Sequence, residues 1–148
     1  FKALAKSPRV RYADMGDLAD VLEKLTWLVE RKRELASSLS GRLLHIPGIR
    51  IPLEPKWGGH IYQSYVILVD EGLNRDKIVE DMKTRGIETT LGTYALHAQP
   101  FFQREFGYKT GQLPNSHAAF TRTITLPLYP QMTESDLDLV ASTLQQVI

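Results

Sequence analysis

The stretch that decides the fold is Ile61–Thr90, IYQSYVILVDEGLNRDKIVEDMKTRGIETT. Its first part, Ile61–Val69, is rich in aromatic and β-branched residues, and this composition predicts a strand. The second half of that strand is apolar on both faces, which indicates a central strand rather than an edge strand. Asn74 can cap a following helix, Gly86 can end it, and Ile87–Thr90 can form a second strand. Strand, helix and strand over about 30 residues have the size of a crossover unit.

The segments on either side add further helices and a third strand. Gln99–Phe106 predicts a short helix with Pro100 in its first turn, and Asn115 can cap another over Ser116–Thr121. Apolar residues within Leu18–Leu43 recur at the spacing of one helical stripe, which predicts a long amphipathic helix. Thr123–Leu126 alternates polar and apolar residues as a strand does, and Thr133 begins a capping box that opens a final helix. We therefore predict an α/β fold of the α+β two-layer kind. It consists of a small mixed sheet with helices packed on it, preceded by the long helix.

Length and composition are those of one globular domain. The chain has 148 residues, of which 43% are hydrophobic and 24% are charged. We expect a single domain, 1–148, in which 1–45 form the long helix and its lead-in and 46–148 form the small α/β domain. The chain has no initiator methionine, and its first helix exceeds the usual globular length. We therefore expect a piece of a longer polypeptide, with part of that helix packed against something outside the small domain.

Charge and cysteine content exclude several functional classes. The 18 Lys and Arg residues and 17 Asp and Glu residues leave a formal net charge of +1, so no bulk attraction favours nucleic acid or an anionic membrane. The absence of cysteine excludes disulfides and thiolate chemistry and is compatible with a cytoplasmic location. No apolar run approaches the roughly 20 residues that a membrane helix needs. We expect a soluble, cytoplasmic protein.

The best candidate site is the loop after the second predicted strand, which carries Thr93, Tyr94 and His97. Loops held by a rigid scaffold commonly carry binding groups. A lone histidine is typical of a buried ring satisfied by the backbone, and a lone tyrosine is typical of a packed aromatic. Phe101 and Phe102, which follow, are typical of core residues. Zinc-type histidine spacing, serine-nucleophile motifs and phosphate loops are absent from the sequence, so the residues alone predict neither a metal site nor a catalytic group.

Four segments carry motifs that occur together, in this order, in one enzyme family. Leu22–Glu34 has the pattern of that family's long helix, and His60–Val69 has the form His-x-Tyr-x-x-Tyr. The most specific segments are Gly86–Phe102, GIETTLGTYALHAQPFF, and Leu126–Thr133, LPLYPQMT. The chain thereby resembles the C-terminal part of the DegT/DnrJ/EryC1/StrS family, the pyridoxal-phosphate-dependent aminotransferases that act on nucleotide-linked keto sugars.

The resemblance implies a fold-type I aminotransferase of which this chain is the smaller, C-terminal domain. Its cofactor would be pyridoxal phosphate (PLP), and its amino donor would be glutamate. In this family the large domain supplies the Schiff-base lysine, and no lysine of this chain lies in the family's Ser-x-x-Lys context. The resemblance therefore implies a chain that is inactive alone and, at full length, a homodimer with active sites at the subunit interface.

The resemblance also implies roles for individual residues. His97 matches the second histidine of the family's His-Tyr-x-x-x-His loop, whereas Gly92 occupies the position of the first. This match implies that His97 either donates a hydrogen bond to the sugar or the pyrophosphate of the substrate or lies near the external aldimine. Tyr94 and Thr93 would be further substrate-binding residues in the same loop.

Two alternatives stay open at the level of the sequence. Arg9 would contact the cofactor phosphate if the family's Asn-Tyr-Arg loop aligns without gaps, but a second alignment places Met15–Leu18 on the segment that follows that loop. The chain could also be a stand-alone ligand-binding, regulatory or oligomerisation module derived from the aminotransferase domain.

Overall fold

The computed structural model describes residues 15–148, so Arg9 lies outside the described residues. The first element is helix α1, Met15–Leu43, which confirms the predicted long helix. At 29 residues it is about 43 Å long. None of the helices within the described residues combines the length and the apolar character needed to cross a membrane.

Helix α1 has two halves with different surroundings. The C-terminal half packs against helix α5, Glu134–Val147, and its buried residues are Leu35, Ala36, Leu39 and Leu43. In the N-terminal half the large apolar side chains are about half exposed, at 53%, 49% and 58% for Leu22, Leu25 and Trp27. The apolar stripe therefore joins the core over only part of its length.

Four strands form one antiparallel sheet. They are β1, β2, β3 and β4, spanning Ile49–Arg50, Tyr65–Val69, Thr90–Leu91 and Thr123–Leu126, and they lie in the order β1-β2-β4-β3. All neighbouring strands in this sheet pair antiparallel, so the predicted α/β class is confirmed but the predicted mixed sheet is wrong. The reason is that β4 lies between β2 and β3. These two strands run parallel to each other, as in a crossover unit, but they are not neighbours.

One face of the sheet carries the core. Because side chains alternate between the two faces of a strand, every second residue of β2 and β4 points into this core. Helix α2, Arg75–Thr84, packs there together with α1 and α5. The buried sheet residues are Tyr65, Ile67, Val69, Ile124 and Leu126.

Strand β2 is central, as predicted, but shorter than predicted. It pairs with β1 on one side and β4 on the other. The strand begins at Tyr65 rather than Ile61 because the chain bends just before it. Tyr62 has a positive φ of 48° and donates its N–H to Nδ1 of His60 at 2.8 Å. A bulky residue in this left-handed region cannot continue an extended ladder.

The predicted ends of two helices are confirmed. Oδ1 of Asn74 accepts the N–H of Lys77 at 3.1 Å and caps α2, and Gly86 follows that helix with a φ of 84°. Thr133 caps α5: its Oγ1 accepts the N–H of Asp136 at 3.3 Å, and the Asp136 carboxylate accepts the N–H of Thr133 at 2.8 Å. These bonds satisfy N–H groups that a helix leaves without partners in its first turn.

Two shorter helices lie between β3 and β4. Helix α3, Pro100–Phe106, confirms the predicted short helix, but Phe101 is 54% exposed, so its prediction as a core residue is wrong. Helix α4 spans Pro114–Arg122, and its N-cap residue is Leu113. The predicted cap at Asn115 is therefore wrong, because the proline before it takes the first helical position, which suits its fixed φ.

Tyr65 gives the fold a dependence on alkaline pH. Burial raises the pKa of its phenol to about 12, and its Oη lies 2.7 Å from Oγ of Ser40. The unfolded chain has a tyrosine pKa of about 10. Because the folded chain holds the proton more tightly, this contribution to stability is complete below about pH 10 and is lost as the pH rises through 12.

Tyr65→Phe removes that titration, and its effect can be measured by urea unfolding of both proteins from pH 8 to pH 12. At pH 8 we expect the variant to be less stable by about 1 kcal/mol, since one buried hydrogen bond is lost. The difference should shrink above pH 10, where wild type loses stability faster than the variant. Parallel pH profiles for the two proteins would contradict this expectation.

Candidate functional site

The candidate loop, defined here as Gly92–Gln99, joins β3 to α3. Thr93 is exposed and Tyr94 is 67% exposed, while the next residue, Ala95, is fully buried and anchors the loop. The ring of Tyr94 packs against the ring of Phe120 on α4, with 6.2 Å between the ring centroids. The loop thus presents two side-chain hydroxyl groups at the surface, above a buried anchor.

His97 lies in the same loop but beneath its surface. It is 3% exposed, and its Nε2 lies 3.1 Å from the backbone oxygen of Thr110. Its ring meets the ring of His117 edge to face at a centroid distance of 6.2 Å. The structure therefore places the three predicted residues in one loop, with Thr93 and Tyr94 accessible and His97 in the buried, backbone-bonded arrangement that is typical of a lone histidine.

Gly92 is fixed by close packing at the start of the candidate loop. Its N–H donates to the backbone oxygen of Thr123 at 3.2 Å. A Cβ atom at this position would lie 2.5 Å from both Cβ and Oγ1 of Thr123 and 2.6 Å from Cγ1 of Val66. No side chain fits there without movement of the sheet. The close packing thus gives a physical reason for glycine at this position, where the motif that the sequence resembles has its first histidine.

Thr110 and Phe120 shape the candidate loop, although sequence reasoning did not identify either residue. Thr110 supplies the carbonyl opposite the His97 ring, and Phe120 supplies the ring beside Tyr94. Neither residue belongs to a motif. Their partners lie at distances along the chain that no periodicity connects, so the sequence contains no signal from which these contacts could be predicted.

A cleft of about 250 Å³ is lined in part by Thr90, the exposed residue of β3. Its lining combines polar and apolar residues from β2, β3 and β4 and from the segments next to these strands, and the apolar ones include Leu126, Pro127 and Leu128. Hydroxyls, an amide and one carboxylate can donate and accept hydrogen bonds, as sugar hydroxyls require. The polar residues lining the cleft are Gln63, Ser64, Glu88, Thr90 and Thr125.

The described residues fit neither a metal ion nor PLP. Among residues 15–148 no group of three or more His, Asp or Glu side chains could hold a metal. The lysines of this part of the chain lie at the surface: Lys32 is half-buried and donates its Nζ to the oxygen of Gln63 at 3.0 Å, and the others are exposed. A lysine that forms a stable Schiff base is held in a desolvated site. No described lysine has that setting.

Comparison with known proteins gives one consistent result. A model of the DegT/DnrJ/EryC1/StrS aminotransferase family matches residues 18–145. The spore coat polysaccharide biosynthesis protein SpsC of Bacillus subtilis is 31% identical over 131 residues, which cover 86% of this chain and 34% of SpsC. The crystal structure of the aminotransferase TlmJ from Streptoalloteichus hindustanus is similar with a TM-score of 0.72 and 27% identity, over 88% of this chain and 34% of TlmJ.

A third similar protein is DesI, whose structure was determined in the presence of its TDP-sugar product. It has a TM-score of 0.72 and 22% identity, over 84% of this chain and 32% of DesI, and at that identity the likeness shows the fold alone. The chain spans about a third of the length of the relatives that it matches. Since the family model covers most of the chain, the chain belongs to the DegT/DnrJ/EryC1/StrS aminotransferase family.

Proposed function

We propose that this chain is the C-terminal domain of a PLP-dependent enzyme that transfers an amino group, from glutamate, to a nucleotide-linked keto sugar. The observation that carries the proposal is the family match over residues 18–145, in a chain that covers 34% of SpsC. The family's aminotransferases depend on PLP. DesI, which has the same fold, was solved with a TDP-sugar, and this supports a nucleotide-linked sugar as the substrate class.

We propose that the cofactor is held mainly outside residues 15–148, because the described lysines lack the setting that a Schiff base requires. On this proposal the chain alone does not transaminate. Arg9 remains the proposed phosphate contact from this chain, and it lies outside the described residues. No catalytic residue is assigned to the chain.

The contribution of the candidate loop is to bind the sugar. Thr93 and Tyr94 carry exposed hydroxyls that can donate to and accept from sugar hydroxyl groups. The loop Gly92–Gln99 contains no lysine or arginine, so the charge of a pyrophosphate must be neutralised by other residues. For His97 we propose a supporting role in which its bond to the Thr110 carbonyl holds the loop in place.

The exposed half of α1 supports the proposed domain arrangement. Leu22, Leu25 and Trp27 leave apolar surface uncovered, and such surface in a protein commonly marks an interaction site. We propose that 1–45 join the small domain, 46–148, to the large domain of the full-length enzyme, which acts as a cytoplasmic homodimer.

A titration with PLP tests the proposal that the cofactor lysine lies outside residues 15–148. We expect no saturable, one-to-one imine absorbance band when the purified chain is mixed with PLP, because its described lysines are exposed or half-buried at the surface. Free lysine at the same amine concentration is the control for weak, non-specific imine formation. A saturable band of one PLP per chain would contradict the proposal and locate the cofactor lysine in this chain.

Activity is tested on the natural full-length polypeptide. Incubated with PLP, glutamate and a nucleotide-linked keto sugar, it should form 2-oxoglutarate and an amino sugar, and omission of the sugar should abolish turnover. A natural polypeptide that has no further domain and no turnover would overturn the aminotransferase proposal and favour the stand-alone module.

A further inference from the structure

Arg75 occupies an unusual position for a buried cation. It is the first residue of α2, next to the N-cap Asn74, and it is 6% exposed. A positive charge at this end of a helix is opposed by the helix dipole, and a buried charge needs close partners. The placement of Arg75 must therefore be stabilised by groups close to its guanidinium.

Those groups belong mainly to the junction of α4 and β4. Nη1 of Arg75 donates to the backbone oxygens of Phe120 and Thr123, at 2.9 and 3.1 Å, and its guanidinium carbon lies 5.9 Å from the centroid of the Phe120 ring. Its Nε donates to Oδ1 of the exposed Asp76 at 2.7 Å. Carbonyls at the C-terminal end of a helix lack intrahelical partners and carry partial negative charge, so they favour a cation.

Both residues that Arg75 contacts at this junction, Phe120 and Thr123, also contact the candidate loop. The oxygen of Thr123 accepts a second hydrogen bond from the N–H of Gly92, at 3.2 Å. The ring of Phe120 packs against the ring of Tyr94, at 6.2 Å between centroids. The Arg75 guanidinium is thereby linked to the candidate loop in two ways. The Thr123 carbonyl accepts from both Arg75 and Gly92, the first residue of the loop, and the Phe120 ring contacts both Arg75 and Tyr94.

We propose that Arg75 is a positioning residue for the candidate loop. By donating to the carbonyls of Phe120 and Thr123 it fixes the positions of Gly92 and Tyr94. Nη1 makes both bonds of the bridge while Nε is held by Asp76, so the rigid guanidinium plane fixes the direction of the bridge. A lysine ammonium is a point charge on a flexible stem and has no such fixed plane. The effect of Arg75 on the position of the loop does not depend on the reaction. Its effect on sugar binding rests on the proposed function.

The loop is tested by backbone amide hydrogen exchange in the 148-residue chain. In Arg75→Met we expect the amide of Gly92 to exchange about tenfold faster relative to the amide of Ile67, a core strand residue, because local opening of the loop becomes easier. The Tyr94 ring resonances should shift as well, since the Phe120 ring moves. Arg50→Met is the matched control: Arg50 is largely exposed and pairs with Asp70 at 3.4 Å, so neither signal should change.

If Gly92 and Ile67 accelerate by the same factor and Tyr94 does not shift, Arg75 contributes only to global stability and the proposal is overturned. Arg75→Lys keeps the charge and serves as the test if the methionine variant does not fold. We expect Gly92 in the lysine variant to exchange about threefold faster relative to Ile67. Full wild-type protection would show that charge alone suffices and would reject the bridge.

The consequence for the substrate is measured on the natural full-length enzyme. Arg75→Lys should raise the KM for the keto sugar by about threefold or more with a smaller change in kcat, because it displaces binding groups rather than reacting groups. An unchanged KM alongside an altered Gly92 exchange would reject the role in sugar binding. If the wild-type enzyme shows no amino transfer, the proposed function fails, while the exchange comparison still decides whether Arg75 positions the loop.

Discussion

Replacing Gly92 by alanine should lower the free energy of unfolding by about 2 kcal/mol, as overpacking of a well-filled site does. The added Cβ would lie 2.5 Å from Thr123 and 2.6 Å from Val66. Both neighbours belong to paired central strands, so relief requires movement of the sheet or loss of the bond from the Gly92 N–H to Thr123. The measurement is the shift of the urea midpoint at constant m-value.

Gly111→Ala is the matched control for this substitution. A Cβ on Gly111 meets nothing within 4 Å, so the same chemical change should alter stability little. Equal effects of the two substitutions would show that the contacts around Gly92 relax freely. Gly92→His, which introduces the residue of the family motif that the sequence resembles, should be more disruptive than alanine, because the whole imidazole must be accommodated where no methyl group fits.

Replacing His97 by alanine should also cost about 2 kcal/mol of unfolding free energy. The change leaves a cavity where a 3% exposed ring stood, and it removes the partner of the Thr110 carbonyl. Both effects destabilise a folded chain. Thermal or urea unfolding measures the loss, and His45→Ala, which removes an exposed histidine, is the control.

The same variant distinguishes the two roles considered for His97. If unfolding is unaffected while the full-length enzyme binds its sugar substrate more weakly, His97 contacts the substrate as the family resemblance implies. If stability falls as expected, His97 acts through the structure of the loop. A full-length His97→Ala enzyme with unchanged stability and unchanged sugar binding would exclude both roles.

Features that depend on neighbouring residues could be predicted from the sequence. Asn74 and Thr133 cap their helices because a side-chain oxygen meets the N–H group three residues later. The central position of β2 followed from its apolar character on both faces. Predictions failed where a competing local feature was stronger, as at Asn115, where the preceding proline begins the helix.

Pairings between distant residues could not be predicted in this way. The sequence of Thr123–Leu126 contains no signal that this strand lies between β2 and β3. Because it lies there, all neighbouring strands pair antiparallel and the sheet is not the mixed one that was expected. The candidate loop itself was identified from its residue types and from the family resemblance. The burial of His97 and the contacts of Arg75 depend on Thr110 and on the α4–β4 junction, which come together only in the folded chain.

The place of β4 in the sheet also sets the order in which the chain can fold during translation. Strand β2 leaves the ribosome before β4, and one of the two edges of β2 is completed by β4, where Tyr65 is paired with Leu126. Until that segment emerges, β2 keeps an unpaired edge, and such edges are sites of aberrant association in nascent chains. The sheet is therefore closed by its last-synthesised strand, and this non-local pairing is expected to slow folding relative to a sheet built from sequential hairpins.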